Sequence, residues 1–332
     1  MNLDDLIGLQ LAVGFHGTKP TGALIQQLKQ TRARSLVVFA RNFVSPRQFK
    51  QLICGLEQGL GYRLFIMVDH EGGRVIRFKK GVTQFPAALA MSHRPASVVK
   101  RQGTTEARQL KSLGVSVNLA PCVDVLVKGC DPIIGDRSYG FDPKKVSSLA
   151  LARIAGLQSN QVAACAKHFP GLGSVPRDPH KVLPTIKLGW PVMKRVHLAP
   201  FKTAIEAQVA TVMSSHVCYP ALKDPAGLPA TFSPRLIAGL LRKQLKFNGV
   251  ILTDDLEMGA LRSFGSIGEA AVRAAEAGHD MFLVCSDLNA AQEALIRLRQ
   301  AYEAGRLALK ALEMSAFRIN KLRQKYLCPP LS

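Results

Sequence analysis

Leu64-Phe65-Ile66-Met67-Val68-Asp69-His70-Glu71 decides the fold: an apolar run long enough for one strand, ending abruptly in three titratable side chains. A short continuous run of this kind reads as a strand buried on both faces, the way strands of parallel sheets look in sequence. The pattern recurs on both sides, and residues 11–15, 35–40, 64–69, 116–121, 162–168, 210–216, 250–254 and 281–285 make eight such runs. The stretches between them carry apolar residues at helical spacing and recognisable helix starts: Ser45-Pro46 with Gln48, Ser233-Pro234, and Ser266 with Glu269. No linker or break in composition divides the chain, so 1–332 reads as one domain rather than two doubly wound halves. The expected fold is α/β, a single (β/α)8 TIM-type barrel with additional C-terminal helices. Those helices, at 288–304 and 307–327 with Gly305 between them, are expected to pack outside the sheet.

Such a barrel carries its chemistry on the loops that follow the strands. Here the strand ends are polar: Arg41-Asn42, Asp69-His70-Glu71, Asn118 and Asp124, Lys167-His168, His216, and Asp254-Asp255. A ring of titratable groups around one pocket is therefore expected. The segment 167–181 is too rich in Gly and Pro for a regular element and reads as a functional loop. Within it Asp178 and His180 lie two apart, so the carboxylate can fix the imidazole tautomer, an arrangement suited to proton donation. A plain Asp-Pro turn followed by a surface His has the same spacing. Asp254 and Asp255 cannot both point the same way from an extended backbone. One facing the pocket would be a nucleophile or charge stabiliser, and the other would hold a neighbouring loop; alternatively both are caps. Asp69 with Arg74 and Arg77, and the Gly-bounded loop 134–140 with Arg137, supply groups that grip hydroxyls, although Glu71 and Arg74 could equally be paired structurally.

Composition narrows the function. The 332 residues, against roughly 100–200 per domain, include 47% hydrophobic and 20% charged side chains, which excludes collagen-like and disordered classes. No apolar run approaches the roughly 18 residues needed to cross a bilayer, and residues 1–5 are acidic, so a cytoplasmic protein without a membrane partner is expected. Seven scattered cysteines without a C-x-x-C pair suggest neither a disulfide framework nor structural zinc; no metal and no cofactor are expected. The net charge of +21 raises nucleic acid, anionic membranes and acidic substrates as partners. The cations are spread along the chain and only 6% of residues are aromatic, which leaves little for base stacking. A solvated basic surface with a mild preference for anionic ligands, and no nucleic-acid partner, is the reading.

Taken together, V-D-H-E-G-G-R-V-I-R-F (68–78), N-L-A-P-C-V-D-V (118–125), G-D-R-S-Y (135–139), K-H-F-P-G (167–171), D-P-H (178–180) and L-T-D-D-L-E-M (252–258) resemble the single-domain bacterial β-N-acetylglucosaminidases of glycoside hydrolase family 3. The resemblance implies a (β/α)8 barrel that removes terminal β-linked N-acetylglucosamine with retention, through a covalent glycosyl-enzyme. It implies Asp254 as nucleophile, His180 as acid and then base with Asp178 orienting it, and Asp69, Arg77, Arg137, Lys167 and His168 as residues that hold the terminal sugar. It further implies a cytoplasmic role on GlcNAc–1,6-anhydro-muropeptides in cell-wall recycling; a monomer is expected. Most retaining glycosidases use two carboxylates about 5–5.5 Å apart; here an imidazole replaces one, and the pH optimum is expected to report the dyad. Three positions depart from the family pattern: Leu172 stands where a second His is usual, Pro179 replaces a Ser, and Glu257 replaces a small polar residue. Pro179 is expected to stiffen the catalytic loop, and Glu257 to add negative charge near the nucleophile.

Three rival readings remain at this stage. A metal-dependent barrel hydrolase would use His168, Asp178, His180, His216 and Asp254 as ligands, without the usual H-x-H or H-E-x-x-H spacing. A sugar-binding protein with a disabled loop would keep the pocket without useful turnover. A phosphorylase would use the same residues with phosphate in place of water.

Overall fold

All eight apolar runs form strands, and the computed structural model, which describes residues 2–331, pairs them in parallel in chain order. They are β1 Leu11–Val13, β2 Ser35–Val38, β3 Phe65–Val68, β4 Val115–Asn118, β5 Ala163–Phe169, β6 Thr211–Ser214, β7 Val250–Asp255 and β8 Met281–Val284. The barrel closes where Ala12 of β1 lies opposite Leu283 of β8. Side chains alternate as a pleat demands: Phe65 and Met67 join the barrel interior, while Ile66 and Val68 face the surrounding helices.

The predicted helix starts are built as read. Ser45 caps Pro46–Leu60 by accepting the Gln48 amide at 3.2 Å, and Ser266 caps Ile267–Ala277 by accepting the Glu269 amide at 3.3 Å. Ser233 accepts the Leu236 amide at 3.0 Å, and the helix Arg235–Gln244 that follows is wound more widely, with Leu245 N–H reaching Leu240 O at 2.8 Å.

The tail departs from expectation. Leu288–Glu303 does pack outside the sheet, beside Ile267–Ala277, but Leu309–Tyr326 lies across the bottom of the barrel. Its Ala316, Ile319, Leu322 and Tyr326 join the interior layer formed by Phe65, Val117, Val250 and Met281. Arg323 donates to the carbonyls of Arg34 (2.9 Å) and Arg63 (3.0 Å), and the Cys328 thiol donates to Val115 O (3.2 Å). Asp280 accepts from Ser315 and Arg318, both at 3.0 Å. The physical reason is that an open barrel bottom leaves apolar side chains and strand N-termini wet, and an amphipathic helix covers both.

Candidate active site

Each strand end delivers its polar residues to the same side. Asp69, Arg77, Arg137, Lys167, His168, His180 and Asp254 all line one pocket of about 230 Å³ that opens to solvent. Asp178 stands behind His180. Seven of the eight residues singled out in the sequence therefore share the pocket lining, and Asp178 reaches it through His180.

The floor of the pocket is a charge lattice. Lys167, buried at the end of β5, lies 2.6 Å from Asp69 and 2.6 Å from Glu71. Arg137 grips Glu71 with two parallel bonds of 2.8 Å. Glu71 is therefore a shared anion for two cations, which hold its carboxyl well below the usual range despite burial that pushes it up. Burial would lower the Lys167 ammonium, but Asp69 and Glu71 more than offset it. Arg77 approaches Asp69 at 3.5 Å, so Asp69 presents its carboxylate between two cations. Below, the wholly buried Arg153 pairs with Glu106 at 2.9 Å and donates to the carbonyls of His70 and Glu71, which fixes the turn that carries them.

Asp124, one of the polar strand ends, has a role that its position in sequence did not reveal. It accepts the His168 ring Nδ1–H at 2.8 Å, the Leu172 amide at 2.6 Å and the Cys122 thiol at 3.2 Å. Arg137, a donor only, faces His168 Nε2 at 3.4 Å, so Nδ1 carries the ring proton and Nε2 accepts from Arg137. The one signal in sequence was the polar Asp124 just past an apolar strand.

Asp254 lies half-buried at the end of β7. Burial pushes its carboxyl up, but His168, His216, the Asp255 amide and Lys167 outweigh it, and the group is held below the ordinary carboxylate range. It stands as an anion facing the pocket. Asp255 points the other way, accepting from the amides of Glu257 (3.1 Å) and Cys285 (3.2 Å), and so ties the loops after β7 and β8. Burial, Glu257 and Asp254 push it up to about 7.

Asp178 accepts the His180 ring Nδ1–H at 2.7 Å and its amide at 2.9 Å, closing the tight turn that the spacing suggested. The loop rests on the segment after β7: Gly259 N–H donates to His180 O and Ala260 N–H to Pro179 O, both at 3.1 Å. Pro179 is buried in that contact while the His180 side chain is 56% exposed, so the imidazole projects over the pocket from an anchored base. Leu172 is buried in the wall, outside the pocket lining. Glu257 accepts from the amides of Ser286 (2.6 Å) and Asp287 (3.1 Å). Its charge falls on Asp255.

The ligand set proposed for a metal is not assembled. Among the described residues no metal-sized group includes Asp178, His180, His216 or Asp254; the close donors are Cys122, Asp124 and His168. Those three do not fit a cation, since Asp124 is already engaged by three N–H donors and a thiol, and the Arg137 guanidinium faces the ring.

Residues 3–322 match the glycosyl hydrolase family 3 N-terminal domain. A beta-hexosaminidase of Nitrosomonas eutropha is 34% identical over 303 residues, covering 89% of this chain and 85% of its own. The family 3 β-N-acetylglucosaminidase of Paenibacillus sp. str. FPU-7 superposes with a TM-score of 0.93 at 35% identity over 98% of this chain, which spans 63% of that longer protein. NagZ of Neisseria gonorrhoeae, solved with N-trifluoroacetyl-D-glucosamine, superposes with a TM-score of 0.77 at 29% identity, covering 93% and 97% of the two chains. With the barrel, the polar strand ends and these likenesses in agreement, the chain belongs to glycoside hydrolase family 3, as a hydrolase of the β-hexosaminidase type.

Proposed function

We infer that the protein removes terminal β-linked N-acetylglucosamine with retention of configuration, Asp254 serving as nucleophile and His180 as acid and base. The observation that carries this reading is an anionic Asp254 in the same pocket as an imidazole whose second nitrogen is held by Asp178. In the first step Asp254 Oδ bonds to the anomeric carbon while the glycosidic C–O bond breaks, and His180 Nε2 gives its proton to the departing oxygen. In the second, His180 takes a proton from water, whose oxygen bonds to the anomeric carbon as the Asp254 ester bond breaks. Asp69, Arg77, Arg137, Lys167 and His168 hold the sugar hydroxyls. The natural substrate is a GlcNAc–1,6-anhydro-muropeptide in the cytoplasm; exposed Arg177 and Lys181 beside the dyad suit its carboxylates.

The test is p-nitrophenol release from the β-GlcNAc and β-glucose derivatives in EDTA, with Asp254→Asn as the blank and the product anomer followed by NMR. Chelator-resistant cleavage of β-GlcNAc alone, yielding the β-anomer and absent in the blank, is expected. An α-anomer as first product, or a blank as active as the parent, overturns the assignment. Digestion of isolated muropeptides then checks the substrate.

A further inference from the structure

The active-site mouth leaves most of the +21 charge unaccounted for. The opposite end of the barrel uses it differently. The helix Leu309–Tyr326, having turned Leu312, Ala316, Ile319 and Leu322 inward, exposes Leu309 (55%), Met314 (44%) and Phe317 (63%) to solvent. These are three of the seven large hydrophobic side chains that stand exposed among the described residues. At 100° per residue they share one side of the helix with exposed Lys310, Lys321 and Lys325, against a single carboxylate, Glu313. Exposed Arg32 and Lys246, in the turns leading into β2 and β7, and Lys29 and Lys243, at the ends of the preceding helices, belong to the same end of the barrel. Of the nearby carboxylates, Asp4 is engaged by Arg299, Glu57 by Arg63, and Asp280 by Arg242 and Arg318, while Asp5 lies among Lys29, Arg32 and Arg34.

We propose that this floor is a docking face for an anionic lipid bilayer. Lysines flanking Phe and Met side chains match the two halves of such a surface: headgroup phosphates for the ammonium groups, and the acyl boundary, roughly 5–10 Å deep, for the apolar ones. A second copy of this chain is a poor occupant, because two faces of the same strong positive charge repel. Nucleic acid would satisfy the lysines but gives Met314 and Leu309 nothing apolar to enter. Attachment by the floor turns the pocket away from the membrane, toward soluble substrate. Such attachment is shallow and reversible, and needs no spanning helix.

The experiment is co-sedimentation of the whole protein with vesicles of phosphatidylcholine alone or mixed with phosphatidylglycerol, at low and high ionic strength. Binding to the mixed vesicles only, lost in high salt, is expected. Lys321→Gln with Lys325→Gln weakens it roughly 30-fold, at about fivefold per charge. Phe317→Ser weakens it by roughly tenfold, with unchanged melting temperature because the side chain is exposed. Three outcomes overturn the proposal: no binding at low salt, equal binding to both vesicle types, or binding indifferent to all three substitutions. Displacement from vesicles by short duplex DNA, with DNA affinity unaltered in Phe317→Ser, assigns the face to nucleic acid instead and equally overturns it.

Discussion

Glu71 is the residue on which the pocket floor turns, because Arg137 and Lys167 share it. Glu71→Gln keeps the shape and removes the charge, leaving two buried cations short of an anion. Loss of about 3–5 kcal/mol is expected in urea denaturation, together with a large fall in kcat/KM. His180→Ala, by contrast, touches an exposed side chain; kcat should fall roughly 10²–10⁴-fold with the melting temperature unmoved, as steady-state kinetics beside thermal melts would show. These two residues also mark what could be read without coordinates. Asp254, Asp178 and His180 stood out as polar groups at the end of an apolar strand or two apart in a Gly-Pro loop, a spacing that caps and turns share, so that only the resemblance gave them roles. Glu71, which could be read as structurally paired, and Asp124, a polar strand end, did not reveal their partners, because Arg137 and His168 lie 66 and 44 positions away.

At the scale of elements, the dyad loop depends on the turn after β7. A Cβ at Gly259 would come within 2.5 Å of His180 O, a backbone atom with nowhere to go. Gly259→Ala is therefore expected to displace the imidazole and lower kcat by roughly 10²-fold, the cost of a misplacement near 1 Å. An alanine enzyme with parental kcat would show that the loop is not positioned from below. Strands were legible because a buried parallel strand must be apolar throughout; helix starts were legible because caps are local. The place of Leu309–Tyr326 was not: amphipathic spacing tells that one face is buried, never against what. Ile319→Ala, which empties part of the barrel floor, should cost about 2–5 kcal/mol in denaturant unfolding, an amount an outer-layer helix at a yielding site would not reach.

The whole molecule carries its histidines mostly dry. Burial holds His70 down to about 4 and His279 to about 3, and also lowers His197 and His216. Unfolded, each titrates near 6.5. Between that value and about 4 the unfolded chain binds more protons, so stability falls as pH falls. Asp255 works the other way: raised to about 7, it contributes stability at low pH that disappears as pH rises through 7. Buried Glu106 is raised as well, but four imidazoles outweigh two carboxyls, and the melting temperature is expected to drop steadily from pH 6.5 to pH 4. A flat profile there would mean these rings are already charged in the fold.

The helix that shuts the barrel is synthesised after all eight strands. Until residues 309–328 leave the ribosome, the layer of Phe65, Val117, Val250 and Met281 has no cover, however well the eight strands have paired. A nascent chain in that condition is a client for chaperones that shield apolar surface. A premature stop before residue 309 yields prey for proteases rather than a shorter enzyme.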